Sequence, residues 1–225
     1  MIVNFVYLEA ALERIPKEIF AHPCVKSDAK RRRKKPSKIL LDDSKHHAAM
    51  KHLRKKEKRG RPDLLHVCLL SLLDSPFRKN FRVFVHTLDG KLIWINSLTR
   101  IPRNYNRFVG LIEDLFEKKV IKAGNQRLLE IMDLDLDSLF RKINPPVTIL
   151  MRESGKRLDL RDYIRHNSAV CIGAFPHGDF ENETLNILNR YNLVEISLGS
   201  ESFTSLYVTN KIVCIYEEII CENLI

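Results

Sequence analysis

Three apolar runs in the last third of the chain decide the fold: VTILM at residues 147–151, AVCIGAF at residues 169–175 and LVEISL at residues 193–198. Each run has the length and composition of a buried strand. Residues 159–166 predict a helix between the first two runs, and residues 204–221 predict a long final helix. Strands that alternate with helices are typical of a parallel sheet. We therefore expect an α/β fold built on a parallel sheet.

The sequence before residue 145 predicts a first strand, several helices and a hairpin. Pro62 suits the first turn of a helix, and Asp74-Ser75-Pro76 would end that helix. The dipeptide Asp89-Gly90 is typical of the turn in a β-hairpin. The predicted elements are a strand over residues 2–8, helices over 9–19, 39–58 and 62–73, hairpin strands over 82–88 and 91–96, a helix that follows 99–108 and runs to 118, and short helices within 128–143.

The composition is that of a globular protein with an apolar core. Of the 225 residues, 44% are apolar, and the mean hydropathy is −0.21. No apolar run approaches the ~18 residues of a membrane-spanning helix, and residues 1–11 lack the features of a signal peptide. Five cysteines without a Cys-x-x-Cys pair argue against disulfides and a zinc site and favour a reducing compartment. We expect a cytoplasmic protein, nucleolar if its source is eukaryotic, that holds no metal and meets no membrane.

Positive charge is concentrated in residues 26–61. This stretch contains 16 Lys and Arg against 4 Asp and Glu, whereas the whole chain has a net charge of +10. Concentrated positive charge is typical of a surface that binds nucleic acid. Residues 26–38 are so charged that we predict a mobile loop there. His46, His47 and His52 lie in the same stretch, and we interpret them as solvated side chains rather than metal ligands.

Two glycine-bearing loops follow predicted strands. Residues 173–178 come directly after one apolar run, and residues 198–203 come after the next. Ligands of parallel sheets bind at the carboxyl ends of strands, and glycine permits the backbone to approach a ligand closely. The two loops therefore predict one pocket, although plain turns would look the same. Neither loop has the pattern of a dinucleotide or triphosphate site.

Arg100, Arg103 and Arg107 recur at a spacing that places them on one side of a helix or of the segment leading into it. Arginine forks bind phosphates, so these residues are candidate RNA contacts, and a solvated basic face is the alternative. Asp63 lies at a predicted helix N-terminus, where the dipole and nearby arginines favour its charge. Asp74 would lie roughly 16 Å further along that helix.

Motifs in the first half of the chain resemble a known enzyme family. Arg59-Gly60-Arg61-Pro62-Asp63, Leu72-Leu73-Asp74-Ser75-Pro76, and Arg100-Ile101-Pro102-Arg103 with Arg107-Phe108 are similar to motifs of the ribosomal RNA pseudouridine N1-specific methyltransferases. These enzymes belong to the SPOUT superfamily of knotted methyltransferases. The resemblance extends over nearly the whole chain in the right order. Residues 30–35 depart from it as an apparent insertion, and residues 198–203 match it loosely.

The resemblance implies a single domain over residues 1–225. A SPOUT-type parallel sheet would have helices on both faces and a deep trefoil knot in a cofactor-binding region, residues 147–225. Residues 26–61 would face RNA, and residues 77–107 would form a β-hairpin and Arg-rich extension. The cofactor would be S-adenosylmethionine. The substrate would be small-subunit ribosomal RNA, and a homodimer would bury part of the last helix. Ribosome assembly proteins are further expected partners.

The resemblance also implies roles for individual residues. Asp63 would accept the proton of the target base or orient that base, and Arg61 would stabilise the anionic ring. The cofactor contacts would be Ile149, Gly173, Gly178, Leu198, Gly199, Ser200, Glu201, Ser202 and Phe203. The RNA contacts would be Arg59, Arg61, Arg100, Arg103 and Arg107.

The expected function is thus methylation of N1 of a pseudouridine in small-subunit ribosomal RNA, together with a role in small-subunit biogenesis. A non-catalytic assembly factor that clamps ribosomal RNA would need the same basic features. A methyltransferase for a different RNA base is also open, because the shape of the pocket cannot be read from the sequence.

Overall fold

An eight-stranded mixed sheet runs through the protein, whose computed structural model describes residues 1–222. The strand order is β4-β5-β3-β2-β1-β7-β6-β8. The strands are β1 (Val3–Ala10), β2 (Phe81–Thr87), β3 (Leu92–Ile95), β4 (Val120–Ala123), β5 (Gln126–Met132), β6 (Thr148–Lys156), β7 (Ala169–Gly173) and β8 (Leu193–Ile196).

The sheet has a parallel half and an antiparallel half. Strands β2, β1, β7, β6 and β8 pair in parallel, whereas β3 pairs antiparallel with β2 and β5, and β5 pairs antiparallel with β4. The prediction of a parallel sheet therefore holds for only part of it. The predicted hairpin forms, but it is no separate extension, because its first strand, β2, pairs with β1 from Val3↔Phe81 onward.

Helices cover both faces of the sheet. Successive side chains of a strand point to opposite faces, so Phe5 and Tyr7 of β1 lie in one apolar cluster and Val6 and Leu8 in another. The helices are α1 (Pro23–Arg32), α2 (Asp43–Met50), α3 (Pro62–Asp74), α4 (Tyr105–Lys118), α5 (Leu136–Ile143), α6 (Asn182–Leu188) and α7 (Ser205–Glu222). The first cluster includes residues of α3, α4 and α7, and the second includes residues of α5 and α6.

Most predicted elements of the core are confirmed. The strands in residues 2–8, 147–151, 169–175 and 193–198 are present, as are the helices predicted over 62–73 and 204–221. The last three residues of the predicted cofactor region, 223–225, lie outside the described residues.

Four local predictions are wrong. Residues 9–19 form no α-helix, since the backbone turns at Glu9, whose φ is +51°. The helix predicted over 159–166 is only a 3-10 turn at Leu160–Asp162. The first part of 128–143 is strand β5, which lies between β3 and β4. Residues 26–38 contain most of α1 instead of a mobile loop.

The basic helix α1 is ordered by a carboxylate from α4. Glu113, whose side chain is 2% exposed, accepts hydrogen bonds from Arg32 at 2.7 and 2.6 Å and from Lys34 at 2.7 Å. It also accepts from the backbone N–H of Leu40 at 3.0 Å. Because the partner acid lies about 80 positions away in the sequence, the local charge count does not reveal it. Part of the basic segment is therefore internally neutralised.

Two further features of the segment bear on its role. His46 is fully buried, not solvated, and its Nδ1 accepts from the backbone N–H of Asp42 at 3.1 Å. Within residues 1–222, no group of three or more His, Cys, Asp or Glu side chains is arranged to hold a metal ion. In the same part of the chain, no helix combines the length and apolar character needed to cross a bilayer.

The substitution Glu113→Gln tests this anchor. We expect a loss of about 2 kcal/mol, below the usual cost of breaking a buried pair because water still reaches Arg32 and Lys34. The thermal midpoint should fall by about 4–8 °C, measured by circular dichroism. Glu117→Gln is the matched control, because it removes an exposed carboxylate from its pair with Lys38 on the same helix. Equal shifts for the two variants would contradict the assignment.

Candidate functional site

A cavity of about 790 Å³ opens at the carboxyl ends of the parallel strands β6, β7 and β8. Both glycine-bearing loops line it, together with the outer end of β6 and the first residues of α3 and α7. The volume is within the usual range for small-molecule sites, about 300–1,000 Å³. The lining residues are Arg61, Leu64, Met151–Ser154, Ile172, Gly173, Phe175–Phe180, Ile196–Ser205 and Val208.

Eight of the nine predicted cofactor residues lie at this cavity. They are Gly173, Gly178, Leu198, Gly199, Ser200, Glu201, Ser202 and Phe203. Ile149 is the exception: its side chain is 0% exposed in the core, because β6 does not end there but continues to Lys156. The lining residues that β6 supplies are Met151 and the polar residues after it.

The first glycine loop has no room for larger residues. A Cβ added to Gly173 would lie 2.9 Å from the ring of Phe175 and 3.2 Å from that of Phe180. These two rings meet edge to face, with centroids 5.3 Å apart. Gly178 has a φ of +98°, a conformation that strains any residue with a side chain. The carbonyl of Gly173 accepts from the Ser205 hydroxyl at 2.5 Å, which joins this loop to the start of α7.

The second loop is a tight turn closed by its own side chains. The Ser197 hydroxyl donates to the carbonyl of Gly199 at 2.7 Å. A Cβ at Gly199 would come within 3.0 Å of the Phe203 ring, which itself stacks on Tyr207 with centroids 4.8 Å apart. Both loops therefore present backbone and aromatic surface to the cavity. Such a cradle fits a ligand held largely by main-chain groups and apolar contact.

The polar wall of the cavity was missed by reasoning from sequence. Arg152 donates to Asp179 of the first loop, with Nε 3.0 Å from Oδ1, and to Glu195 of β8 at 3.1 Å. The hydrogen bonds from Arg152 hold the pKa of Asp179 below its ordinary value. Arg152 directly follows the apolar run VTILM in the sequence. A polar residue at the end of a predicted parallel strand was the signal that could have indicated a cavity residue.

An ion pair lies beside the cavity, at the start of α3. Arg61 donates to Asp63 through Nε at 2.8 Å and Nη2 at 2.7 Å, and the two side chains are 38% and 42% exposed. This hydrogen bonding raises the pKa of Arg61 further above its already high value. Pro62 between them starts the helix. Arg61 lines the cavity, so a carboxylate and a guanidinium stand together at its edge.

The rival carboxylate, Asp74, is the last residue of α3 and cannot share this site. It accepts from Arg103 at 2.8 Å on the exposed surface. The prediction that the two carboxylates lie at opposite ends of one helix is confirmed.

The segment that carries the three predicted RNA arginines is fixed to α3. His66, one turn after Asp63, donates Nε2–H to the carbonyl of Pro102 at 2.7 Å and stacks on Phe108 with centroids 4.4 Å apart. Ile101 is buried, whereas Arg100, Arg103 and Arg107 are all exposed. The structure thus holds the backbone of this segment against the helix that carries Asp63 and turns its guanidinium groups to solvent.

Arg59 has a different environment. It donates to both oxygens of Glu13 at 2.6 Å, and its side chain is 17% exposed. A bidentate, largely buried pair of this kind fixes the chain and leaves little of the guanidinium for RNA.

Comparisons with known proteins identify the family of the chain. The family model described as EMG1/NEP1 methyltransferase matches residues 5–217. The ribosomal RNA small subunit methyltransferase Nep1 of Archaeoglobus fulgidus is 56% identical over 215 residues, covering 96% of this chain and 95% of the relative. The proteins of the same name from Staphylothermus marinus and Pyrococcus furiosus are 40% and 39% identical, over 94% and 96% of this chain and 93% and 96% of theirs.

A solved structure is similar over nearly the whole chain. The crystal structure of Archaeoglobus fulgidus Nep1 bound to S-adenosylhomocysteine matches with a TM-score of 0.92 and 55% identity. The match covers 98% of this chain and 100% of that one.

Gly173→Ala tests whether the cavity is the ligand site. The added Cβ would displace the Phe175 ring, so we expect affinity for S-adenosylhomocysteine, measured by titration calorimetry, to fall about tenfold or more, equivalent to at least about 1.4 kcal/mol. Gly110→Ala is the matched control, because a Cβ at this position in α4 meets no atom within 4 Å. Unchanged affinity in the Gly173 variant would move the ligand elsewhere.

Proposed function

Because the chain belongs to the EMG1/NEP1 methyltransferase family, we propose that it methylates small-subunit ribosomal RNA with S-adenosylmethionine, and that the acceptor is N1 of a pseudouridine. The observation that carries the proposal is the position of the Arg61–Asp63 pair beside a cavity made by two glycine-bearing loops. In that arrangement a carboxylate and a guanidinium reach a base presented at the cavity.

The cavity suits S-adenosylmethionine in size and chemistry. It combines aromatic surface from Phe175 and Phe203 with backbone polar groups of the glycine loops and the charged side chain of Arg152. Main-chain groups and a few polar side chains in an apolar pocket are typical of cofactor sites. When bound there, S-adenosylmethionine supplies a methyl group activated by a sulfonium sulfur.

Asp63 and Arg61 divide the work on the base. Pseudouridine is joined to ribose through carbon, so its N1 carries a proton and is a poor nucleophile until that proton leaves. Asp63 keeps lone pairs beyond those that Arg61 occupies and accepts the N1–H hydrogen bond or the proton itself. Arg61 uses Nε and Nη2 for Asp63, which leaves the hydrogens of Nη1 to stabilise negative charge on the ring. Holding N1 in line with the methyl group contributes the rest of the rate.

The RNA surface would run from the exposed arginines Arg100, Arg103 and Arg107 to the exposed part of residues 26–61. Lys30, Arg33 and Lys35 are exposed cations of that segment. Arg59 is left out of this surface because Glu13 holds its guanidinium. A flipped or single-stranded base is required, since an N1 within a helix stack cannot reach the cavity.

Three further features belong to the proposal. The chain after β6 would form a trefoil knot. The packing of α7 on α3 and β7 is consistent with this topology, and a crystallographic backbone trace tests it.

A homodimer would cover exposed apolar side chains of α3 and α7, such as Val67 and Tyr207. Light scattering measures the oligomeric state. Ribosome assembly proteins would bind in the cytoplasm, and co-purification tests for them.

Asp63→Asn tests the catalytic pair. An amide cannot take the N1 proton, so we expect methyl transfer to an RNA that carries pseudouridine to fall by about 100-fold or more, while affinity for S-adenosylhomocysteine stays within about threefold. Transfer is followed with radiolabelled methyl groups. Glu130→Gln is the control. It removes one carboxylate from a pair with Arg127 on β5, which lies near the opposite edge of the sheet from the cavity.

The same assay separates the enzyme from a non-catalytic assembly factor. Normal transfer by the Asp63 variant removes this residue from the mechanism. Failure of the unaltered protein to bind the cofactor in calorimetry would favour the assembly factor.

Arg107→Ala tests the RNA surface. Affinity for RNA falls as salt rises, and removing one cation that neutralises a phosphate should reduce the magnitude of the slope of log affinity against log salt by about 0.7. The slope is measured by fluorescence anisotropy with a single-stranded ribosomal RNA fragment. Arg141→Ala is the control, because it removes an exposed arginine from α5 on the other face of the sheet. An unchanged slope for Arg107→Ala would place the RNA elsewhere.

A further inference from the structure

Lys58 is a buried cation beneath the first glycine loop. Only 4% of the residue is exposed. Its ammonium group donates to Glu9 at 2.7 Å, to Glu181 at 3.1 Å and to the backbone carbonyl of Asp179. It also lies 4.6 Å from the centroid of the Phe175 ring. Three of these partners, Phe175, Asp179 and Glu181, belong to the loop that lines the cavity or to its immediate continuation.

Glu9 completes this arrangement from the end of β1. Its carboxylate is 2% exposed, and its second oxygen accepts from the backbone N–H of Glu181 at 2.7 Å. The backbone of Glu9 has a φ of +51°, a conformation that is uncommon outside glycine. One buried carboxylate therefore holds both the lysine and the loop. Burial alone would lower the pKa of Lys58, but the hydrogen bonds to Glu9 and Glu181 raise it, so its ammonium group stays charged at neutral pH.

Lys58 is also held firmly to the catalytic pair, three positions further along the chain. The intervening residues are fixed: Arg59 is paired with Glu13, and the carbonyl of Gly60 accepts from the backbone N–H of Asp43 at 2.8 Å. Gly60 has a φ of +71° and packs against Met50 of α2, where an added Cβ would lie 2.8 Å from the methionine methyl. Because Arg59 and Gly60 are fixed, a displacement of the Lys58 backbone is transmitted to Arg61.

The first glycine loop rests directly on the lysine stem. A Cβ at Gly178 would lie 3.3 Å from Cε of Lys58. On its other side the same loop lines the cavity. A ligand that fixes the loop therefore also fixes the Lys58 side chain packed against it. The segment from Lys58 to Arg61 is then fixed as well.

We propose that Lys58 is a positioning residue that couples cofactor binding to RNA binding, by joining the first cofactor loop to the segment that carries Arg61. The inference rests on the proposed function. It goes further, because it assigns a role to a side chain that touches neither ligand. Coupling between two sites is reciprocal in equilibrium binding. Bound cofactor should tighten RNA binding by the same factor by which bound RNA tightens cofactor binding.

The test measures that factor in both directions. RNA affinity is measured by anisotropy with and without saturating S-adenosylhomocysteine, and affinity for S-adenosylhomocysteine is measured by calorimetry with and without RNA. For the unaltered protein we expect a factor of about five or more, which is the lower end for coupled sites. In Lys58→Met the factor should fall to within twofold of one.

Glu181→Gln is the second variant and guards against loss of folding. It keeps the buried Lys58–Glu9 pair and weakens the two ion pairs of Glu181, with Lys58 at 3.1 Å and with Lys55 at 2.8 Å. It should lower the coupling factor at least twofold. Lys38→Met is the matched control. It removes a lysine from the same basic segment, but that lysine pairs with Glu117 on α4. Its coupling factor should equal that of the unaltered protein.

The outcomes separate this inference from the proposed function. A coupling factor of one in the unaltered protein overturns the inference, as does an unchanged factor in a folded Lys58→Met. If Lys58→Met does not fold, an unchanged factor in Glu181→Gln overturns it. A lower thermal midpoint of Lys58→Met with an unchanged coupling factor would show that Lys58 has a purely structural role, and this result also overturns the inference. Absence of cofactor or RNA binding by the unaltered protein would instead contradict the proposed function.

Discussion

The parallel pairing of β1 with β7 is the constraint on which the site depends. Leu8 is in register with Gly173, and beyond the strands Ala174 exchanges backbone hydrogen bonds of 2.9 Å with Leu8 and Ala11. Because both strands end at the same edge, the turn at Glu9 and the first glycine loop are side by side. Strands β6 and β8 end at that edge too and add the second loop. The helices α3 and α7 pack on the same face and close the cavity.

Charge in the N-terminal part of the chain serves two purposes. Residues 26–61 have a high density of Lys and Arg, yet several of these cations are paired with acids from distant segments, among them Glu9, Glu13, Glu113 and Glu181. These pairs fold α1 and the segment before α3 onto the body of the protein. The remaining exposed cations lie on a surface whose shape the internal pairs define. The segment is thus an ordered platform with a basic outer face.

Much of the site could be predicted from local signals. A glycine-bearing loop after an apolar run identifies a strand end, and this reasoning found both loops. Pro62 in Arg61-Pro62-Asp63 is typical of the first turn of a helix. The sequence therefore placed a carboxylate and a guanidinium together at a helix start. Ile149 lies in the core and not at the cavity, because β6 continues past it to Lys156. The later residues of β6 are polar, so the apolar pattern does not mark them as strand, although Lys156 pairs with Ile196 of β8. Strand β5 was missed because its stability comes from β3 and β4. Lys58 had no distinguishing signal among 16 Lys and Arg residues in its segment.

The central claim is that this site delivers a methyl group to N1 of pseudouridine. The most direct measurement compares two ribosomal RNA fragments of identical sequence, one carrying uridine and the other pseudouridine at the target position, with saturating S-adenosylmethionine. We predict transfer to the pseudouridine fragment alone, because N1 of uridine is bonded to ribose and has no proton to lose. Equal transfer to both fragments, or transfer to the uridine fragment alone, would contradict it.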